Sequence, residues 1–283
     1  MPCRVALCLS GAASKDPEDA AERLELEAAL TNLGFLPQTC CWDDAAVEWG
    51  DFQVCLLCPT WDDARCNPSY RESLLHWVTR VAEAGVRILN PPSLLQWNSH
   101  KAYLTGLSLE GVNVIPTNVT SQKEDTDLEL LLTSHTAFVT KNPQDNTIIV
   151  KPAVSSGAVG MERFFVGNAD VASCRDAQRH HDELLLSGDV LVQPYVRGVE
   201  EWGVLSVVCF DRKFSHAILR KPAAQEYRVG ARHGGSAALV EPADVGENIM
   251  AAVTAVLATK VMQSQPVAYC RLDFVAAPPH EQA

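Results

Sequence analysis

The chain is short of positive charge: 23 Lys plus Arg face 35 Asp plus Glu, for a net charge of −12 over 283 residues. A phosphate polymer is drawn by broad cationic surface, so this balance argues against a nucleic-acid partner. Any phosphate site must be local, built from a few chosen cations. Long apolar runs are also missing. No stretch approaches the about 20 residues that a membrane helix needs. The opening MPCRVALCLSGAAS is too brief for a secretory leader and reads better as a first strand and turn. A cytoplasmic protein with no membrane partner is expected, and the sequon Asn118-Val119-Thr120 would then never meet the glycosylation machinery. Zinc-ribbon spacing is absent despite ten cysteines. Cys55 and Cys58 stand three apart in an apolar strand, FQVCLLCP, which turns them to opposite faces, so reduced buried thiols are expected.

What is present alternates. Val5–Leu9 reads as a strand, followed by a helix with Asp16 as cap, Pro17 in its first turn and Gly34 past its close. Phe52–Leu57 is the next strand. A helix over about Tyr70–Ala84 places Leu74, Leu75, Val78, Val81 and Ala82 on one stripe ahead of the strand Val86–Leu89, and Pro91-Pro92 closes a doubly wound α/β unit. The character then changes. Asn98 or Ser99 is expected to cap a helix carrying Lys101 and ending at Gly111, with a strand over Val112–Ile115 before Pro116. Helices are expected over Asp127–Ser134, over Asp170–Ser187 with a polar His180-His181 step, and over Asn248–Val261. Strands are expected at Thr147–Lys151, in DVLVQPYV, in a long hairpin turning at Asp211-Arg212-Lys213, and in VAYCRLDF. In that hairpin, alternation puts His216 on the face of Phe214 and Ile218, as a core histidine. Trp42, Trp49, Trp61 and Trp97 read as packing residues.

The segment IIVKPAVSSGAVG, residues 148–160, carries the first chemical signal. A β-branched run delivers Lys151 to the end of a buried strand, because Pro152 biases the residue before it away from the helical region. The loop Ser155 to Gly160 then offers two hydroxyls and backbone N–H groups that can turn towards an anion. A phosphate cradle and a surface hairpin with a solvated lysine both fit these residues.

Further along the chain Lys101, Lys151, the Ser155–Gly160 loop, the strand Leu191–Val196, the acids Glu200-Glu201 and Arg271-Leu272-Asp273 occur in one order. That order resembles the ATP-grasp superfamily over essentially the whole chain, with no Walker loop or GxGxxG fingerprint competing. The stretches QWNSHKAYL followed by GVNVIPT, QPYVRGVEEWGVLSVVCFDRKFSHAILRKPA, and CWDD with PTWDD are similar to the small ATP-grasp branch that includes the D-cycloserine-forming cyclo-ligase, relatives of glutathione synthetase and the ribosomal-protein glutamate ligase. Where that branch usually has Gly-Asp before Phe-Arg-Val-Gln, this chain has Gln225-Glu226-Tyr227-Arg228-Val229-Gly230.

The resemblance implies a mixed α/β and α+β fold, with an N-terminal α/β domain at 1–92 and an ATP-grasp domain at 93–283. Parts 93–150 and 190–283 would flank a small lid subdomain at 151–189, and the nucleotide would lie between two α+β subdomains. Lys101 and Lys151 would neutralise the ATP phosphates under the Ser155, Ser156 and Gly157 loop acting as lid. Gln193 with the backbone of Tyr195 and Val196 would hold adenine, Glu200 or Glu201 the ribose, and Asp273 would bind Mg²⁺, for which Mn²⁺ could substitute. Arg271 would reach the transferring phosphoryl group, and Arg228 and Lys221 would clamp a carboxylate or phosphate. The reaction implied joins a small-molecule carboxylate to an amine through an acyl phosphate, releasing ADP. A nucleotide-binding protein without catalysis and an ATP-grasp kinase are the alternatives, and a homo-oligomer is left open. Only FVAAPPHEQA follows Asp273, so the strand that usually supplies a second Mg²⁺ ligand is expected to be missing and phosphoryl transfer impaired.

Overall fold

The structure, a computed structural model, describes residues 2–11, 17–58, 68–122, 128, 146–166 and 171–276. The chain forms two units, residues 1–99 with 264–269 and residues 100–263 with 270–283. In the first, strands β1 (Arg4–Leu9), β2 (Leu36–Cys41), β3 (Val54–Leu57) and β4 (Arg87–Leu89) make a parallel sheet of order β2-β1-β3-β4. Helices Pro17–Asn32 and Pro68–Glu83 connect them as a doubly wound unit requires. Strand β2 carries no sequence signal of its own: LPQTCC holds a proline and one β-branched residue. It survives as an edge strand, where Pro37 need not donate to a second neighbour. The helix 68–83 buries Tyr70, Leu74, Trp77, Val78 and Val81 against Ala6, Cys8, Cys40 and Cys55. Cys55 is fully buried, its Sγ 3.1 Å from that of Cys8 on the adjacent strand. The contact with Cys55, and then burial, push the Cys8 thiol far above the usual thiol range.

The second unit holds two antiparallel arrangements. Strands β5 (Asn118–Thr120), β6 (Thr147–Pro152), β7 (Glu162–Phe165) and β8 (Val190–Pro194) form a sheet of order β5-β8-β6-β7. One face, with Ile148, Val150, Val190 and Val192, packs on Ala177 of the helix Val171–Leu185. Alternation therefore assigns Lys151, Ile149, Gln193 and Arg163 to the other face. The strand expected at Val112–Ile115 is instead irregular, and pairing begins only at Asn118, opposite Val192. Pro116 has no N–H to give a ladder, so the strand forms beyond it. The His180-His181 step is not solvated: His181 is fully buried, with Nδ1 3.0 Å from Asp182 Oδ1.

Strands β9 (Val204–Phe210), β10 (Lys213–Lys221), β11 (Ser236–Val240) and β12 (Tyr269–Val275) form the other sheet, in order β11-β10-β9-β12. The hairpin turn is two residues, Asp211 and Arg212, with φ of 48° and 59°. Both angles are positive, as a turn matched to the strand twist demands, here met without glycine. A bulge lies between Phe214 and His216, which oppose Cys209 and Val208. Ser215 is thus the extra residue, and the face parity changes across it. Phe214 and Ala217 share the packed core with Val207 and Cys209, whereas His216 falls on the opposite face with Ile218 and Arg220, contrary to simple alternation. The helix expected to carry Lys101 is likewise two helices, Pro92–Asn98 and Tyr103–Leu109, and Lys101 sits in the turn between them. The helix expected over Asn248–Val261 closes at Leu257, and a second short one spans Lys260–Gln263.

The Asp16 cap, Trp61, the segment Asp127–Ser134 apart from Leu128, and everything after Ala276 lie outside the described residues. Among the described residues no helix is long and apolar enough to cross a membrane.

Candidate functional site

Lys101 and Lys151 are brought together by backbone bonding. The turn bearing Lys101 docks through its N–H on Ala153 O at 3.0 Å, one residue past β6. Lys101 Nζ then donates to Ser155 O at 2.6 Å and Ser155 Oγ at 3.1 Å, pinning the start of the glycine loop. The Lys151 backbone pairs with β8 opposite Leu191, but its Nζ makes no hydrogen bond or ion pair with another described residue. Burial, and then the Lys101 ammonium, lower Lys151 to about 8. Two cations held side by side with one lacking an anion is an arrangement that an incoming phosphate would relieve.

The loop itself is fixed at several points. Gly157 and Ala158 have φ of 58° and 62°, a left-handed turn closed by the Val159 N–H donating to Ser156 O at 3.0 Å. Gly160 has φ 69°, and a Cβ there would meet Pro152 Cγ at 2.9 Å, so glycine is required. His180 Nε2 lies 3.0 Å from Gly160 O, Tyr227 Oη donates to Met161 O at 3.2 Å, and His233 Nε2 lies 3.4 Å from Gly157 O. Between the loop and Tyr227, Arg228 and His233 is a cavity of about 480 Å³.

The residues expected around adenine and ribose are engaged differently. Gln193 is buried and donates through Nε2 to Thr117 Oγ1 at 2.7 Å, and the Tyr195 N–H donates to Thr147 O at 2.8 Å. Val196 is the second residue past β8, its carbonyl accepting from the Val199 N–H at 3.1 Å. Glu200 and Glu201 lie on a short helix, Gly198–Glu201. Glu200 pairs with Arg163 and accepts from Tyr195 Oη at 2.5 Å, so the tyrosine bond first, and then Arg163, hold its carboxyl below the usual range. Arg163 stacks over the rings of Tyr195 and Tyr227, 4.9 and 4.6 Å from their centroids. Glu201 remains exposed.

The other sheet gathers a charged cluster on the face opposite its core. Asp273 Oδ1 accepts from Ser206 Oγ at 2.8 Å and Arg271 Nε at 3.0 Å, and Oδ2 from Arg220 Nη2 at 2.9 Å and Arg271 Nη2 at 3.2 Å. Arg220 Nε also donates to Ser206 Oγ at 3.0 Å. Burial first, and then Asp273, raise Tyr103 nearby. A carboxylate has about four acceptor positions, and all are filled here. Among the described residues no group of three or more His, Cys, Asp or Glu could hold a metal ion. Asp273 as arranged therefore does not fit a protein-held Mg²⁺; the cluster is cationic overall, with two guanidiniums against one carboxylate.

Arg228 is tied to Glu226 by Nε–Oε1 and Nη2–Oε2 bonds of 3.0 and 2.7 Å, and this pairing lowers Glu226 to about 2. Lys221 is exposed and alternates to the face away from Asp273. Sequence reasoning named Lys221 where the geometry presents Arg220. The usable signal was strand parity with Asp273, but it requires knowing that β9 lies between β10 and β12. Arg163, Tyr227, His180 and His233 were missed as well, because each acts through a contact far away in sequence.

Residues 5–90 match the family described as the D-cycloserine synthetase DcsG N-terminal domain. The cycloserine biosynthesis protein DcsG of Streptomyces lavendulae is 29% identical over 254 residues, covering 88% of this chain and 79% of that protein. The crystal structure of D-cycloserine synthetase DcsG superimposes with a TM-score of 0.78 at 23% identity, covering 97% of this chain and 87% of that one. A D-alanine–D-alanine ligase from Bacillus anthracis complexed with ATP gives 0.64 at 14% identity, over 97% and 82%. The parallel N-terminal sheet, the two antiparallel sheets and these likenesses give the chain the ATP-grasp fold, and its sequence is similar to the cycloserine biosynthesis protein DcsG.

Proposed function

We propose that the chain is an ATP-dependent carboxylate–amine ligase that forms an amide through an acyl phosphate and releases ADP and phosphate. The observation that supports it most is the lysine pair at the glycine loop: Lys101 pins Ser155 while Lys151 meets no anion among the described residues. In this reading Lys151 neutralises transferring phosphate oxygens, and Lys101 positions the loop whose N–H groups cover them. Phosphoryl transfer of this kind needs positioning and charge more than a nucleophilic side chain. Arg220 and Arg271 would meet the charge that develops on the acyl phosphate, with Asp273 and Ser206 holding both guanidiniums in place. Mg²⁺ would accompany the nucleotide as a counter-charge to its phosphates. By analogy with the synthetase it resembles, carboxylate and amine would sit in one substrate molecule and the product would be a cyclic amide such as D-cycloserine.

Substrate-dependent ADP formation, with the acyl phosphate trapped by hydroxylamine as a hydroxamate, tests this reading; ADP without any hydroxamate or amide would refute it. One observation favours a second reading, an ATP-binding protein without turnover. All four acceptor positions of Asp273 are occupied by Arg220, Arg271 and Ser206. Nucleotide binding by calorimetry with no ADP formed from any carboxylate tried would favour it.

A further inference from the structure

The first unit holds a cavity of about 620 Å³, none of whose described lining residues belongs to the unit carrying Lys101, Lys151 and Asp273. Its walls are aromatic: Trp42, Trp49, Tyr70 and Trp77. Trp49 and Trp77 meet edge to face at 4.9 Å, and Trp42 and Tyr70 do so at 5.4 Å, so the rings present faces in more than one direction. The rim is charged with both signs. Asp43 and Asp44 follow β2 directly, and Arg80 with Ser73 comes from the helix 68–83. Trp42 Nε1 donates to Tyr70 Oη at 3.1 Å, which fixes these two rings in the wall.

We propose that this cavity is a binding site for an amino acid with an apolar or aromatic side chain. The rim carboxylates are suited to an ammonium group, which the ring faces also attract. The guanidinium of Arg80 is suited to a carboxylate. The indoles take the side chain. A volume of about 620 Å³ lies within the range of small-molecule sites and exceeds what a packing defect leaves. The WDD run at Trp42-Asp43-Asp44 thereby acquires a role that ATP chemistry does not give it.

The test uses the intact chain without nucleotide, titrated by calorimetry and tryptophan fluorescence with phenylalanine, phenethylammonium and phenylpropionate. Phenylalanine should bind at least about tenfold tighter than either truncated probe, because each probe leaves one rim charge unmet. Asp44→Asn and Trp49→Leu should each weaken phenylalanine by about tenfold or more, and Ser73→Trp, a surface change that fills the cavity, should abolish it. ATP affinity should stay the same in all three variants, and an unchanged circular dichroism spectrum with a cooperative thermal transition reports that the first unit is folded. No binding of phenylalanine at about 10 mM, binding of either truncated probe within about threefold of it, or insensitivity to Ser73→Trp would each overturn the proposal.

Discussion

If Lys151 is the phosphate lysine, nucleotide binding must depend on pH in a way set by its depressed pKa. In the free protein Lys151 titrates at about 8 against an ordinary 10.5, lowered by burial and by Lys101. Bound phosphate supplies the missing anion, favours the charged form and raises that value. Binding is therefore tightest below pH 8 and weakens as pH rises through it, with a proton taken up from solution. With only the charged form competent, about 90% of the protein can bind at pH 7 and about 10% at pH 9, a loss of about tenfold or 1.4 kcal/mol. Stability of the free protein moves the other way. Its folded pKa lies below the unfolded one, so charged Lys151 opposes folding fully below pH 8, and that opposition is relieved as pH climbs from 8 towards 10.5. Calorimetry of ATP binding between pH 7.5 and 9.5, in buffers of different ionisation enthalpy, should show uptake approaching one proton near pH 9. Lys151→Arg should flatten the profile because a guanidinium does not titrate there. Lys151→Met should weaken binding and flatten it too. A wild-type affinity unchanged across this range, or one that keeps its slope in Lys151→Met, would refute the assignment.

Arg220→Ala should reduce ligase turnover by about 10–100-fold while Lys221→Ala changes it little, since only Arg220 bonds Asp273 and Ser206; equal losses in steady-state assays would contradict the parity argument. Gly160→Ala should lower the melting temperature by about 2–6 °C, because its Cβ would stand 2.9 Å from Pro152 Cγ at a φ of 69°; an unshifted thermal transition would show that the loop is not held as described. Deleting Ser215 should straighten β10 and keep Phe214 opposite Cys209 on the core face, because removing the extra residue restores simple alternation with Ala217. A soluble, cooperatively unfolding variant is expected, whereas loss of folded protein would show that the bulge itself is required.

The parts of this fold that were legible in the sequence are those whose signal is local. Strand β6 announced itself through Ile148, Ile149 and Val150, and Lys151 followed from the proline after it. The helix 68–83 was legible from its stripe, although Trp77 belongs to the buried set and was left out of it. What failed depended on partners. Strand β2 is held by pairing with β1 and not by its own composition. The His216 expectation failed on one extra residue, because a bulge is selected by its neighbours across the sheet while alternation counts only along the strand. Lys101 was found, but on the wrong element: a turn rather than a helix places its N–H on Ala153 and its ammonium on Ser155.

The same distinction separates the candidate residues from one another. Lys101, Lys151 and Arg271 could be named from residue type and order, since each is a cation at an element end or beside an acid. Whether a named residue is available is a different question, answered by what its atoms already touch. Arg228 is held by Glu226, Glu200 by Arg163 and Tyr195, and Asp273 by two arginines and a serine, whereas Lys151 has Lys101 for a neighbour and no anion among the described residues. A bidentate pair such as Arg228–Glu226 shapes a loop, because breaking it leaves two charges to be solvated again. An unpaired buried ammonium instead stores unfavourable energy that a ligand can release on arrival. Lys151 is accordingly the residue at which a bound phosphate changes the most, and the pH dependence of nucleotide affinity is the measurement most sensitive to it.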